Sequence, residues 1–248
     1  MAILVTRPQP DNARTVAALR AKGLEALPAP MLRFEAVAFQ DDADAGYGAV
    51  IVTSANALRA VADQAAIVRL KELPLFAVGE RTAEAARDSG FQNVISADGD
   101  ATALRELMVK SVRAKTLKKT TTLLYLAGAD LARDLAGELG ERGFNVVTQT
   151  TYRMAPVTSL SRDVCGAFAA HGIEAVLHYS RRSARAFLDA ARAGGVEISA
   201  LAIPQCCLSE QIAAIVRDAG ATQVMVASSP DEKALFDVLD RALSPLSR

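Results

Sequence analysis

Three stretches of the first half of this chain recur, in the same order, in the second half, and this repetition limits the fold more than any other feature. "ILVTRPQPDNARTVAALRAKGLEALPAPMLRF" (3–34) is matched by "LLYLAGADLARDLAGELGERGFNVVTQTTYRM" (123–154). "IVTSANALRAV" (51–61) is matched by "VLHYSRRSARAFL" (176–188). "AVGERTAEAARDSGFQNVISADGDATALREL" (77–107) is matched by "CLSEQIAAIVRDAGATQVMVASSPDEKALFDVL" (207–239). Short apolar runs at 3–5, 50–52, 75–78, 123–126 and 175–177 alternate with segments of helical periodicity. That alternation predicts an α/β protein with parallel sheets.

Each repeated unit places small or polar residues where a strand pattern turns into a helix pattern: Thr6/Arg7, Ser54, Gly79 to Thr82, Ala127/Gly128, Ser180 and Ser209. The first N–H groups of a helix lack an intrahelical acceptor, and the helix dipole puts partial positive charge there, so such corners attract anions. One corner alone is as well explained by Ser54 capping its helix. In an open parallel sheet, however, the strand C-termini share one edge, which predicts three such corners converging in each domain and six facing one cleft.

Charge decides how an anion would be held. Lys and Arg total 28, as do Asp and Glu, so there is no basic field of the kind that nucleic acid or an acidic membrane surface requires. The opening "MAILVTRPQPDN" has too short an apolar stretch for a signal-peptide core, and no run of about 18 apolar residues occurs, which leads us to expect a cytoplasmic protein without a membrane segment. Cys165, Cys206 and Cys207 lack the spacing of a zinc site or a disulfide framework and read as buried thiols. His171 and His178 are too few for a histidine metal centre or a conventional triad; His178, beside an apolar strand, reads as a packed histidine with acid–base work as the lesser alternative. A complete phosphate-binding glycine loop is also missing from the sequence, which disfavours a nucleotide-binding enzyme.

The segments Leu4 to Leu19, "TSANAL" (53–58), "AVGERTAEAARDSG" (77–90), "LAGADLARDLAGELGERGFNV" (126–146) and "TTYRM" (150–154) together resemble the uroporphyrinogen-III synthase family, in order and over essentially the whole chain. The resemblance implies two flavodoxin-like α/β domains with parallel sheets, joined by a two-stranded linker. Carried over, domain one is 1–34 plus 155–248, domain two is 38–150, and the connectors lie near 34–38 and 151–156. "LRFEAVAF" and "TTYRMAPV" read as extended, and Pro156 would stop a helix there. Two connecting strands allow hinge motion.

The activity implied is cyclisation of the linear tetrapyrrole hydroxymethylbilane to uroporphyrinogen III, with loss of water and inversion of ring D through a spiro intermediate. No cofactor and no metal are implied. The implied partners are the substrate and a transient handover from hydroxymethylbilane synthase, acting on a monomer. A neutral protein can hold this carboxylate-rich substrate with local donors: Ser54, Ala55 and Asn56 at one corner, Arg81 and Thr82 at another, and Gly128 and Ala129 at a third, where glycine would let a carboxylate approach the backbone. Arg7 and Ser180 are the matching expectations in the other domain, with Arg181 secondary; a solvated surface charge is the alternative for Arg7. Tyr152 matches the family's connector tyrosine. A phenol keeps its proton at neutral pH and can donate to the departing hydroxyl; filling the interdomain ladder is its alternative role.

One corner departs from the family pattern. Ile212 stands where the matching corner has Thr82, and Ser209 lies three residues earlier; either Ser209 supplies the hydroxyl instead or this corner does not bind a carboxylate. That departure makes an inactive paralogue one competing reading; two similar lobes with a hinge and corners rich in Ser and Thr make a small-molecule binding protein the other.

Overall fold

The computed structural model describes residues 1–38, 45–65, 67–131 and 133–244. Eleven strands are found among them: β1 (Ala2–Val5), β2 (Glu25–Pro28), β3 (Leu32–Ala36), β4 (Tyr47–Val52), β5 (Leu75–Ala77), β6 (Val94–Ser96), β7 (Thr122–Gly128), β8 (Asn145–Pro156), β9 (Ile173–His178), β10 (Gln205–Cys207) and β11 (Val224–Val226). Helices follow most of them, as the alternating pattern requires. The chain divides into two compact units, 1–34 with 155–248 and 35–154.

The first unit carries a five-stranded sheet in the order β11-β10-β9-β1-β2, with every neighbouring pair parallel. The second carries the order β3-β8-β7-β4-β5-β6, parallel from β8 to β6. At its edge Val37 N–H donates to Thr151 O (2.7 Å) and Val157 N–H to Met31 O (2.9 Å), so β3 runs antiparallel to β8. β8 is the longest strand, at 12 residues, and ends at Pro156.

Both sheets are covered on both faces, which explains why their central strands read as unbroken apolar runs. In β4, Val50 and Val52 enter one core cluster while Ala49 and Ile51 enter the cluster on the other face. In β1, Leu4 likewise separates from Ile3 and Val5. The period of two is intact, but both of its phases are buried. Large side chains such as Phe76 and Phe187 are sealed inside, each contributing on the order of 2–3 kcal/mol by removal from water.

The sequence repeat and the structural division cut the chain differently. The 3–34 repeat lies in the first unit and its match 123–154 in the second, whereas 51–61 and 77–107 lie in the second and their matches in the first. Setting β7, β8, β4, β5, β6 against β1, β2, β9, β10, β11, the two sheets have the same strand order. Each unit is thus assembled from the opening segment of one repeat and the remaining segments of the other.

Candidate functional site

In the first unit the corners lie at the C-terminal ends of three neighbouring parallel strands, β10, β9 and β1; in the second they lie at the ends of β7, β4 and β5. Neighbouring parallel strands are about 4.8 Å apart, so three adjacent corners form a compact row of donors.

In the second unit, Ser54 caps the helix Ala55–Val61 with an extended backbone, and its Oγ accepts the Asn56 N–H at 3.2 Å. Beside it Thr53 Oγ1 and the buried Tyr125 hydroxyl lie 3.0 Å apart, and burial pushes the Tyr125 phenol pKa upward. At the next corner Gly79 is the cap of Glu80–Asp88, its carbonyl accepting the N–H groups of Thr82 and Ala83. Thr82 is nearly buried, and its hydroxyl has no hydrogen-bond partner among the described residues; Arg81 is exposed.

The third corner differs from expectation. β7 runs through Gly128 and the next helix begins only at Leu135, with Asp134 as its cap, so Gly128 and Ala129 are not at a helix N-terminus. The Ala129 N–H already donates to Tyr152 O at 2.8 Å, which corrects its assignment as a carboxylate donor. The open face of Gly128 is occupied by the Tyr152 ring: a Cβ there would sit 2.7 Å from Cζ and 2.9 Å from the hydroxyl oxygen. The side-chain gap expected to admit a carboxylate therefore receives a tyrosine.

Tyr152 owes this position to an irregularity in the ladder. Ala127 pairs with Thr150 and Gly128 with Tyr152, so Thr151 is an extra residue on β8. Such a bulge re-aims the side chain that follows it. Thr151 is fully buried and pinned, its Oγ1 donating to Ala127 O at 3.1 Å. The half-buried Tyr152 ring packs against the core cluster that contains Val52, Leu58 and Leu126.

In the first unit, Ser180 caps Arg181–Ala193, accepting the Ser183 N–H (3.1 Å) and donating to Ser183 Oγ (2.9 Å). Arg181 is exposed on the first turn. Ser209 caps Glu210–Asp218 in the geometry of Gly79, with no side-chain capping bond, and its carbonyl accepts from Ile212 and Ala213. Ile212 is buried where Thr82 stands in the other unit, so any hydroxyl at this corner comes from Ser209.

Arg7 is neither freely solvated nor unpaired. Its Nη1 meets Glu232 Oε1 at 2.9 Å and Thr15 Oγ1 at 3.1 Å, its Nη2 meets Asp11 at 3.2 Å, and its guanidinium lies 4.4 Å from the centre of the Tyr179 ring. Tyr179 in turn donates to Glu232 at 3.1 Å. Burial drives the Tyr179 pKa well above the ordinary phenol value, so this hydroxyl remains a donor. The network joins the end of β1, the end of β9 and the helix Glu232–Leu243. Glu232 escaped sequence reasoning, and Tyr179 reads there only as bulk beside Ser180 in "HYSRRSA". The acidic first turn in "SPDEKA" is a readable helix start, but a partner 225 residues away in sequence is not.

His178 is sealed in the core, edge-on to Phe187 at 5.4 Å between centroids. Gln205 donates its Nε2 to Ala200 O (2.7 Å) and Ile203 O (2.9 Å), which fixes its Oε1 as the acceptor facing His178 Nε2 at 2.9 Å. His178 is therefore protonated on Nε2, leaving Nδ1 buried without a partner among the described residues, and burial pulls its pKa down to about 4. This is the packed histidine, not the acid–base one. Cys206 and Cys207 are buried thiols with pKa pushed up to about 12, inert at neutral pH. Among the described residues no His, Cys, Asp and Glu group is arranged to hold a metal, and no helix is long and apolar enough to cross a membrane.

A family model described as uroporphyrinogen-III synthase HemD matches residues 13–237. A solved uroporphyrinogen-III synthetase from Helicobacter pylori 26695 superposes with a TM-score of 0.62 at 16% identity, covering 98% of this chain and 99% of that one. A mutant uroporphyrinogen III synthase from the extremely thermophilic bacterium Thermus thermophilus gives 0.53 at 16% identity, covering 98% and 99%. At such identities the two structures speak for the fold, and the family model for the kinship. No curated protein sequence matches the chain.

Proposed function

Because the chain belongs to the uroporphyrinogen-III synthase family, we propose that it closes hydroxymethylbilane into uroporphyrinogen III, as a cyclising lyase of tetrapyrrole and heme biosynthesis. The observation that carries the reading furthest into mechanism is Tyr152, held on a bulge at the strand ends beside the corner row of the second unit. Its phenol donates to the substrate hydroxyl as that group leaves as water. The electron-deficient pyrrole left behind is attacked by the substituted carbon of ring D, and the spiro intermediate fragments and recloses with the ring inverted. The rest of the task is conformational: to hold the chain so that this carbon reacts first, and to keep water away.

The carboxylates fall to the helix-start corners: Ser54, Ala55 and Asn56, Arg81 and Thr82 in the second unit, Ser180 and Ser209 in the first. Arg7 enters as a guanidinium already positioned by Glu232 and Asp11, not as a free cation. The finer organisation belongs to the same reading: two flavodoxin-like domains, near 1–34 with 155–248 and 38–150, joined by a two-stranded linker made of β3 and β8. The strand order described above supports it, being the 2-1-3-4-5 arrangement when each unit is numbered from β1 or β7. A monomer in the cytoplasm receiving its unstable substrate from hydroxymethylbilane synthase completes the proposal.

The test is a coupled assay in which hydroxymethylbilane is generated in place, the protein added, and the oxidised uroporphyrins separated. Predominantly type III isomer without added cofactor is expected. Type I alone, as in the protein-free control, would leave a binding protein or an inactive paralogue. In the same assay Ser180→Ala should raise KM with kcat little changed, and should lower stability by about 1 kcal/mol through loss of the cap. An unaltered KM would remove Ser180 from the substrate site.

A further inference from the structure

We propose that Gly128 is a positioning residue for the reaction: by lacking a side chain it seats the Tyr152 ring and fixes where the phenol hydroxyl lies. The inference rests on the reading of Tyr152 as proton donor and adds to it the element that aims that donor.

Three observations converge. The three atoms nearest to a Cβ built on Gly128 all belong to Tyr152, namely Cζ at 2.7 Å, the hydroxyl oxygen at 2.9 Å and Cε1 at 3.1 Å. Contacts of that length are not sustained by real side chains, so any larger residue must displace the ring. Next, the backbone itself does not ask for glycine: Gly128 ends β7 and is absent from the positive-φ residues, so an L side chain fits its conformation. The demand for glycine comes from the Tyr152 ring, whose atoms are the nearest to that position. Finally, the backbone around the ring is fixed on both sides, by Ala129 N–H on Tyr152 O and by buried Thr151 on Ala127 O. With the main chain held and Gly128 flush against the ring, the side-chain torsions are what remain to set the hydroxyl, and the glycine limits them.

What would move in Gly128→Ala is the far end of a side chain, not the core. The variant should therefore stay folded, with a melting temperature close to that of the parent or slightly above it, since a glycine is lost from a strand. A hydroxyl displaced by about an ångström costs on the order of tenfold to a hundredfold in rate. The loss should fall on kcat and leave KM near its parent value. Gly140→Ala is the control, because nothing lies within 4 Å of a Cβ at that position.

The experiment is a double-mutant cycle in the coupled assay with Tyr152→Phe, Gly128→Ala and their combination, read as kcat, KM and melting temperature. The expected result is that the double variant is no slower than Tyr152→Phe alone, because a ring without its hydroxyl has nothing left to misplace. Multiplicative losses would overturn the inference while leaving Tyr152 its role, as would a raised KM at constant kcat, the mark of a carboxylate seat, or a Gly128→Ala protein that unfolds. Full activity in Tyr152→Phe would remove both the reading and the inference.

Discussion

Tyr152→Phe is expected to lower single-turnover ring closure by about a hundredfold or more, the range over which a positioned proton donor operates, while substrate affinity stays close to that of the parent. The phenylalanine ring keeps the packing against the Val52, Leu58 and Leu126 cluster and loses only the hydroxyl, so a change in stability is not expected to confuse the result. The product distribution should move with the rate. Hydroxymethylbilane closes to the type I isomer without a catalyst, and a slower enzyme leaves more substrate to that route. An unchanged single-turnover rate would return Tyr152 to a packing role in β8.

A second large effect is expected in stability as the solution is acidified. The His178 imidazole titrates at about 4 in the folded protein and near 6.5 in an unfolded chain, because burial disfavours its charged form and the Gln205 contact offsets this only in part. Above pH 6.5 both states are neutral there and nothing is lost. Between about 6.5 and 4 the unfolded chain takes up a proton that the folded core refuses, so stability falls with falling pH, by about 3 kcal/mol in all, and levels off once the folded imidazole is also charged. Urea unfolding at a series of pH values should show this slope in the parent and its absence in His178→Leu. That variant is less stable at neutral pH, since Gln205 Oε1 loses its donor, but its curve across this window should be flatter than the parent's. Parallel curves would show that His178 does not take up its proton in the way its burial requires.

The parts of the molecule that were legible in the sequence are those set by neighbouring residues. Ser54 and Ser180 announced their helices because a cap is a local event, and the central strands announced themselves because burial on both faces writes an unbroken apolar run. β6 and β11 are weaker signals, read from the short "NVIS" and "VMVA": all three residues of each strand are only partly buried, and such short edge strands take their register from β5 and β10. The candidate site was legible as a set of corners but not in its inner arrangement. Nothing in "TTYRM" says that Thr151 is surplus to the ladder, and nothing in "LAGAD" says that Gly128 answers a ring 24 residues away, because a bulge is decided by pairing between strands. Arg7 shows the same limit. Its charge was plain, but its neutralisation by Glu232 from the far end of the chain depends on the sheet having closed.

The exchange of opening segments between the two repeats gives the units different timetables. Unit 35–154 is one uninterrupted stretch and has all its strands once residue 154 has left the ribosome. The other unit is split around it: β1 precedes that stretch and has β2 close by in sequence, but its other neighbour is β9, and the bond from Thr6 to Leu177 that joins them spans 171 residues. Domains tend to fold as units during synthesis, and pairings so distant in sequence form slowly. Ile3 and Val5 can be covered early by Val16, Leu19 and Ala26, but their contacts with Ala175, Leu177 and Leu235 wait for residues made after the 35–154 unit, so one side of β1 is exposed to wrong pairing longer than any strand of that unit.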